Sequence, residues 1–391
     1  MTTEKILMRE LLRLARGRER EMVRLLGRFV RCESPSCDKA AVDRFGAMVA
    51  SEWRRRGAKV KVLRQRGRGN HLRVELAARD GRGRGESAGQ ILVLGHLDTV
   101  YPLGTIGKMP FRVAGGKAWG PGTFDMKGGL VLALGAVDAL RAAGAGPRKR
   151  VVFLWTSDEE IGSESSRRWI EREARWSDAV LVLEPSFGRE GKLKTQRKGV
   201  GGAEMIVTGR AAHAGIEPEK GVNAVHELAL QIARLMMMND RRRGITVQAT
   251  VVEGGTTSNV VPARARAMVD VRFERAADAR GILRRLRGLR PILRGARVEV
   301  RVGAMRPPLE RTAGVRGLYR AAQELMRGVG RALGEAATGG GSDGNFTAAL
   351  GVPTLDGLGA VGDGAHSVRE YVVVREMAPR AALIAGLLTT L

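Results

Sequence analysis

The stretch Ile91–Val100, with the sequence ILVLGHLDTV, constrains the fold more than any other part of this chain. It opens with an uninterrupted apolar run, which is typical of a strand buried on both faces of a parallel sheet. The run ends in a glycine that is followed by His96 and Asp98. Polar residues at the carboxyl end of a buried strand lie where open α/β sheets bind their ligands. The stretch therefore predicts a central strand with a functional site at its end.

Strands and helices alternate on either side of this stretch. Apolar runs recur at Val151–Trp155 and Ala179–Leu183, and helical spacing recurs at Lys127–Arg141 and Glu164–Ala174. This alternation predicts a doubly wound α/β sheet with helices on both faces. From Gly199 the pattern changes to amphipathic strands and two helical segments in the order βαββαβ, which is the ferredoxin-like motif.

The length of 391 residues suits two domains. We expect a doubly wound mixed sheet in a discontinuous domain over residues 1–197 and 308–391, which would carry the site at the end of the central strand. A ferredoxin-like domain over 198–307 is inserted into it. A loop rich in Arg and Gly over 79–89 leads into the central strand.

The formal net charge of +26 raises nucleic acid or an anionic surface as a partner. However, the cations are spread along the whole chain, and aromatic residues make up only 4% of it, so no stacking platform for single strands is apparent. We interpret the charge as aiding solubility and steering anionic substrates, and we expect no specific nucleic-acid partner. A basic protein that binds polyanions and catalyses no reaction remains an alternative.

Other features concern the compartment. No run of about 18 apolar residues is present, so no membrane association is expected. The N-terminal segment is charged throughout and lacks the apolar centre of a secretory leader, which favours the cytoplasm. The two cysteines, Cys32 and Cys37, are too few for a disulfide framework or a thiolate metal site.

Imidazole and carboxylate groups follow the predicted strands or lie in Gly-rich loops, and the set comprises His96, Asp125, Glu159, Glu160, Glu184 and His366. A His/Asp/Glu set without cysteine suits zinc, manganese or cobalt in a hydrolytic site. Two such ions about 3.5–4 Å apart need a bridging carboxylate. Taken one at a time, these residues also fit strand ends, a solvated acidic turn or a helix cap.

The adjacent glutamates are expected to differ in role, because neighbouring side chains point apart on an extended or turning backbone. Glu160 can then bind metal while Glu159 acts as a general base toward the attacking water. Asp98 could accept the second N–H of the His96 ring and fix its tautomer.

The motifs GHLDTV, GPGTFDMKGGL, TSDEEIGS, LEPS, AAHAG, GTTSNVVPA and AHS follow one another along nearly the whole chain. In this order they resemble the di-zinc metallopeptidase and aminoacylase family. That family includes glutamate carboxypeptidases, acetylornithine deacetylases, succinyl-diaminopimelate desuccinylases and aminoacylases. The resemblance implies a homodimeric amide hydrolase with two Zn²⁺ ions, for which Co²⁺ or Mn²⁺ are alternatives.

The resemblance also implies roles for individual residues. His96 and Glu184 would bind one zinc, Glu160 and His366 the other, and Asp125 would bridge the two and precede a cis peptide. Glu159 would shuttle the proton. The inserted domain would serve dimerisation and lid closure.

The substrate implied by the resemblance has a free carboxylate, held by Asn259 and Arg272. His213 would reach into the active site of the partner subunit and stabilise the oxyanion. The motifs look closest to those of glutamate carboxypeptidases, and this likeness implies that Lys192 and Arg306 help to bind a second carboxylate, with Ser342 near the pocket. An N-acetyl or N-succinyl amino-acid deacylase and a dipeptidase remain the alternatives.

Overall fold

A computed structural model describes residues 3–78 and 89–391 of the chain. It divides into two compact units. Unit 1 comprises Met1–Gln196, Arg311–Ala337 and Ser342–Leu391, and unit 2 comprises Arg197–Glu310 and Thr338–Gly341. The loop predicted over 79–89 lies outside the described residues, apart from Gly89.

The helices and strands of the described residues are numbered in chain order. The helices are α1 (Thr3–Gly17), α2 (Glu19–Arg31), α3 (Lys39–Arg55), α4 (Thr105–Lys108), α5 (Gly128–Ala142), α6 (Arg167–Arg175), α7 (Ala224–Met236), α8 (Ala276–Arg287), α9 (Ala313–Gly328), α10 (Gly344–Ala349) and α11 (Met377–Thr390). The strands are β1 (Lys59–Leu63), β2 (His71–Leu76), β3 (Gln90–His96), β4 (Arg112–Ala114), β5 (Lys117–Trp119), β6 (Arg150–Thr156), β7 (Ala179–Val182), β8 (Leu193–Arg197), β9 (Gly199–Thr208), β10 (Thr246–Gly254), β11 (Arg264–Phe273), β12 (Arg297–Val302), β13 (Glu335–Thr338), β14 (Thr354–Leu355), β15 (Gly362–Asp363) and β16 (Tyr371–Val373).

Unit 1 is built on a six-stranded sheet with the order β1-β2-β6-β3-β7-β14. Strands β6, β3, β7 and β14 run parallel to their neighbours in this series, whereas the hairpin β1–β2 joins β6 antiparallel. The prediction of a mixed sheet in an α/β fold is therefore confirmed. All seven residues of β3 are buried, as its apolar run predicts.

Both faces of this sheet are covered, because successive side chains of a strand point to opposite sides. Ile91 and Val93 pack in a large core that includes residues of α1, α3, α5 and α11. Leu92 and Leu94 pack in a second core with residues of α6 and α10. A strand that is apolar at every position is thus buried from both sides.

Several short elements have no counterpart in the sequence analysis. The apolar spacing of the N-terminal segment predicts one surface helix, but the segment is divided between α1 and α2, with Arg18 between them. Strands β4, β5, β15 and β16 form a separate four-stranded sheet, and β8 pairs with β13. Strands β4, β5, β15 and β16 have only two or three residues, which is too short to display a period of two.

Unit 2 contains an antiparallel sheet with the order β10-β11-β9-β12. Along the chain its elements follow as β9, α7, β10, β11, α8 and β12. One face of the sheet forms a core with both helices, in which Val269 and Phe273 of β11 lie with Leu228 of α7 and Ile282 of α8. The other face of β11 carries partly or fully exposed side chains.

Two further expectations concern disulfide bonds and membrane-spanning helices. Cys32 and Cys37 are not joined in a disulfide. Among the described residues, no helix combines the length and the apolar character needed to cross a bilayer.

Candidate metal centre

The carboxyl ends of three neighbouring strands bring acidic and imidazole groups to one edge of the unit 1 sheet. In the parallel register His96 lies opposite Thr156, and Leu94 lies opposite Val182. The turn with the two adjacent glutamates therefore begins beside His96, and Glu184 follows on the other side. The parallel register explains why residues so far apart in sequence meet.

The His96 ring is buried and its two nitrogens have different partners. Nδ1 lies 2.9 Å from the backbone carbonyl oxygen of Asp98. Nε2 lies 3.2 Å from Oδ1 of Asp125 and 3.4 Å from Oε1 of Glu184. A proton on Nδ1 that is donated to the carbonyl leaves the Nε2 lone pair directed at the carboxylates, which is the tautomer that a metal ligand needs.

The Asp98 carboxylate lies between the His96 ring and the acidic turn. Its Oδ1 lies 3.5 Å from Nδ1 of His96, so the carbonyl of the same residue is the closer partner of the ring. The carboxylate accepts hydrogen bonds from the hydroxyl of Ser36 (2.7 Å) and from the backbone N–H groups of Glu159 and Glu160 (3.3 Å each). Asp98 thus positions both the imidazole and the acidic turn.

His366 contacts the other side of the same acidic group. Its Nε2 lies 3.4 Å from Oδ2 of Asp125 and 3.2 Å from Oε2 of Glu160. Asp125 therefore presents one oxygen to each imidazole, which is the arrangement of a carboxylate that bridges two ions. The peptide bond between Asp125 and Met126 is cis, as the family resemblance implies.

The donor set fits divalent cations. Burial raises the pKa of Glu160, and its Oε1 is buried without a hydrogen-bond partner. Hydrogen bonds to Asp125 and Glu160 raise the pKa of His366 to about 10. Protonated imidazoles would therefore neutralise the carboxylates in the metal-free chain, and cations bound there would take over this role.

The ligand atoms lie close enough for metal binding. Those of His96, Asp125 and Glu160 lie within 4.8 Å of one another, and so do those of His96, Glu159 and Glu184. Glu159, the expected proton shuttle, is thus beside the half of the centre that contains His96.

The centre is buried at one end and open at the other. The His96 side chain is 1% exposed, whereas that of His366 is 52% exposed. Large apolar side chains that follow three of the predicted ligands are exposed as well, namely Ile161, Phe187 and Val368. The chain segments that carry these ligands therefore also expose apolar side chains.

A buried carboxylate beside the centre, that of Glu370, is not among the predicted site residues. Glu370 is fully buried and accepts hydrogen bonds from the backbone N–H groups of Gly122 (2.9 Å), Phe124 (2.7 Å) and Asp125 (2.9 Å). It also accepts a hydrogen bond from the hydroxyl of Tyr101 (2.5 Å). Burial raises the pKa of Glu370 to about 7. An acidic residue four positions after His366 was the available signal.

In unit 2, His213, predicted to stabilise the oxyanion, and Asn259, predicted to bind the substrate carboxylate, are both oriented as hydrogen-bond donors. Nδ1 of His213 accepts the backbone N–H groups of Gly215 (3.2 Å) and Ile216 (3.1 Å), so the proton of a neutral ring is on Nε2. Oδ1 of Asn259 accepts the hydroxyl of Thr257 (3.0 Å), which leaves the amide NH₂ as the donor group. Donors of this kind suit an anion.

The remaining predicted residues are spread over both units. In unit 1 the Lys192 ammonium pairs with Glu190 (2.7 Å), and the buried Ser342 hydroxyl donates to Asp356 (2.6 Å). In unit 2 Arg306 forms a backbone bridge with Val200, and Arg272 lies on β11. Substrate binding by these four side chains stays a prediction.

Residues 92–390 match the model of Peptidase family M20/M25/M40. The chain is 32% identical to carboxypeptidase G2 of Pseudomonas sp. (strain RS-16) over 376 residues, which cover 95% of this chain and 89% of that protein. It is 29% identical to a succinyl-diaminopimelate desuccinylase of Gluconacetobacter diazotrophicus over 324 residues, which cover 78% of this chain and 82% of that protein.

Among solved structures, the aminopeptidase PepT of Bacillus cereus is similar in fold. Its TM-score is 0.79 at 22% identity, and the match covers 95% of this chain and 98% of that chain. At this identity the likeness supports the fold alone.

Proposed function

Because this chain belongs to Peptidase family M20/M25/M40, we propose that it is a metal-dependent hydrolase of amide bonds in N-acyl amino acids or at the C-termini of peptides. The observation that carries the proposal is the contact of His96 and His366 with opposite oxygens of Asp125. A partly buried carboxylate between two imidazoles, each with a further glutamate, matches the ligand chemistry of a two-metal hydrolytic site.

His96 and Glu184 would hold one ion and Glu160 and His366 the other, with Asp125 between them. When bound, such ions polarise the substrate carbonyl and lower the pKa of water. We propose Zn²⁺, with Co²⁺ or Mn²⁺ as alternatives, because the donor set contains nitrogen and oxygen but no sulfur.

Glu159 would act as the proton shuttle. It would take a proton from the attacking water and return it to the leaving amine, which avoids expulsion of an unstable amide anion. Its carboxylate lies within 4.8 Å of ligand atoms of His96 and Glu184, which supports this role. Asp98 would hold the backbone of Glu159 in place by accepting its N–H group.

The test is a Glu159→Gln variant of the metal-loaded protein. We expect turnover to fall by about 10²–10⁴-fold while metal content stays unchanged, because glutamine keeps the shape but cannot accept the proton. Hydrolysis of an N-acyl-L-glutamate and a dipeptide would be followed with and without chelator. Turnover at the parent rate, or activity that survives complete metal removal, would contradict the proposal.

We further propose that the part of the substrate on the acyl side of the scissile bond is apolar. The exposed side chains of Ile161, Phe187 and Val368 follow Glu160, Glu184 and His366 by one to three residues, so apolar surface borders the ligand loops. A series of N-acyl-L-glutamates with lengthening acyl chains tests this. The kcat/KM should rise along the series, and a flat series would contradict the proposal.

The similarity to a desuccinylase favours N-succinyl amino acids as a second substrate class. A succinyl group brings a second carboxylate, for which Lys192 and Arg306 are the predicted partners. Direct competition of N-succinyl and N-benzoyl substrates of the same amino acid distinguishes the two classes. A cytoplasmic location and the lack of a specific nucleic-acid partner remain predictions.

For unit 2 we propose a ferredoxin-like fold that forms a homodimer and acts as a lid. Its strand order β10-β11-β9-β12 and its element order agree with this fold. Strand β10 lies at the sheet edge and exposes Val251 and Val252, and an edge of this kind can pair with a second copy. Light scattering on a Val252→Lys variant, which should shift the protein toward monomer, tests the dimer.

A further inference from the structure

Arg272 on β11 has an unusual set of partners. Its Nε lies 2.9 and 3.1 Å from the two carboxylate oxygens of Asp270, and its Nη2 lies 2.8 Å from Oδ2 of the same residue. Its Nη1 donates to the carbonyl oxygen of Gly339 at 3.2 Å. All of these groups belong to unit 2. Neutral and anionic acceptors therefore hold the guanidinium from two sides.

The number of hydrogen-bond donors that remain is informative. A guanidinium has five N–H donors in a fixed plane and cannot rotate them independently. Asp270 takes the Nε donor and one on Nη2, and Gly339 takes one on Nη1. One N–H group on each terminal nitrogen is left, and two donors on one guanidinium are what a bidentate carboxylate needs.

The loop that supplies the carbonyl is itself fixed. The buried Arg197 donates through Nη1 to the carbonyl oxygens of Gly340 (3.2 Å) and Gly341 (3.0 Å). The carbonyl of Gly339 is thus part of a loop that two arginines hold, and it offers Arg272 an acceptor in a defined place. The Arg272 guanidinium is oriented on one side by Asp270, two residues earlier on β11, and on the other side by this loop.

A second arginine on the same sheet lacks this arrangement. Arg301 on β12 pairs with Glu299, two residues earlier, through Nε at 2.7 Å. Its Nη1 lies 3.7 Å from Glu204, so carboxylates are its partners on both sides. In both Asp270/Arg272 and Glu299/Arg301 an arginine pairs with a carboxylate two residues earlier. The further acceptor is a backbone carbonyl for Arg272 and a second carboxylate for Arg301. This pair provides a matched control.

We infer that Asp270 is a positioning residue that determines specificity: it holds Arg272 with two donors free for one carboxylate of the substrate. The inference rests on the proposed function and on the predicted role of Arg272 in binding a free carboxylate of the substrate; the new element is the part played by Asp270. Because Asp270 neutralises the charge of Arg272, recognition depends on the direction of two hydrogen bonds more than on net charge. A carboxamide offers one acceptor where a carboxylate offers two.

The direction in which KM changes in the Asp270→Ala variant distinguishes a positioning residue from one that only neutralises charge. Asp270→Ala raises the local net charge by one. If Asp270 only neutralised Arg272, it would weaken the binding of an anionic substrate, and its removal would lower KM. A positioning residue predicts the opposite, because the freed guanidinium samples many rotamers and no longer meets the carboxylate in one geometry. We expect KM for an N-acyl-L-glutamate to rise about tenfold with kcat within about twofold.

The experiment compares Asp270→Ala, Asp270→Asn and the control Glu299→Ala in the metal-loaded protein. The substrates are an N-acyl-L-glutamate and its α-carboxamide. Asp270→Asn keeps one acceptor and should give an intermediate KM for the acid, whereas all three variants should leave the KM for the carboxamide within about twofold of the parent. An unchanged or lower KM for the acid in Asp270→Ala, or an equal rise for the carboxamide, overturns the inference.

A binding measurement separates failure of this inference from failure of the proposed function. The acid is titrated calorimetrically into Glu159→Gln and into Glu159→Gln/Asp270→Ala, and Kd should rise about tenfold in the double variant. If the parent hydrolyses nothing but this rise is observed, the proposed function fails and the positioning role of Asp270 stands. If the parent is active and Kd is equal in both variants, the positioning role of Asp270 fails and the proposed function stands.

Discussion

The buried carboxylate of Glu370 accepts the backbone N–H of Asp125 at 2.9 Å, across 245 residues of sequence. The same carboxylate binds two other N–H groups of the loop that precedes Asp125, and it lies four residues after His366. One side chain thus joins the two loops that carry the central and the most exposed of the predicted ligands.

Glu370→Gln should weaken metal binding by about 10- to 100-fold, because an amide supplies one acceptor oxygen to a loop that uses two. Competition with a chromogenic chelator measures the change on the purified protein. The control is Glu335→Gln, which removes a carboxylate that pairs with Arg311. Unchanged affinity in Glu370→Gln would mean that the Asp125 loop holds its conformation without this carboxylate.

Metal binding should release protons. In the metal-free chain hydrogen bonds to Asp125 and Glu160 raise the pKa of His366 to about 10, so its ring is protonated at neutral pH. A cation needs the unprotonated Nε2, and its apparent affinity should therefore rise about tenfold per pH unit from neutrality toward pH 10 for this proton alone. Below neutral pH the apparent affinity for the cation should continue to fall.

Calorimetry of zinc binding in two buffers with different ionisation enthalpies counts these protons. His366→Ala should release about one proton fewer than the parent at pH 7.5. Equal proton release in the two proteins would contradict the assignment of His366 as a ligand.

The contacts of Asp98 predict a graded pair of variants. Asp98→Ala removes the acceptor for the backbone of Glu159 and Glu160, and we expect kcat to fall about 10- to 100-fold. Ser36→Ala removes one of the hydrogen bonds to that carboxylate and should reduce kcat less than about tenfold. Steady-state kinetics at saturating metal measure both. A larger loss in the serine variant would reverse the order of importance.

A glycine at the start of α5 tests the packing below the centre. A Cβ on Gly129 would lie 2.7 Å from Cε of Met126 and closer still to the carbonyl oxygen of Leu183, which adjoins Glu184. Gly129→Ala should therefore destabilise the protein by about 1–3 kcal/mol and lower metal affinity.

The control for this substitution is Gly317→Ala in α9, where a Cβ would meet nothing within 4 Å. Because alanine is the better helix former, this variant should gain about 1 kcal/mol. Denaturant unfolding with and without zinc measures both variants. Equal stability of the two would show that α5 can move away from the strand end.

Sequence patterns were most informative where an element is long and uniformly buried. The apolar run of β3 predicted a central strand, and the alternation of strands and helices predicted the mixed sheet around it. Short strands such as β15 and β16 escaped prediction, because two or three residues carry no periodic signal. The interruption between α1 and α2 escaped it because apolar spacing continues through both helices.

The sequence alone determined which groups reach the sheet edge. Parallel strands end on one side, so an apolar run followed by His96 or Glu184 places that side chain at the edge whatever the loops do. The tertiary structure alone decided how those groups are oriented. The backbone carbonyl of Asp98 rather than its carboxylate is the closer partner of His96, Glu370 holds the loop before Asp125, and Asp270 leaves two donors of Arg272 free. Hydrogen-bond direction depends on loop conformation and on partners brought together by folding, and neither has a local signature in the chain.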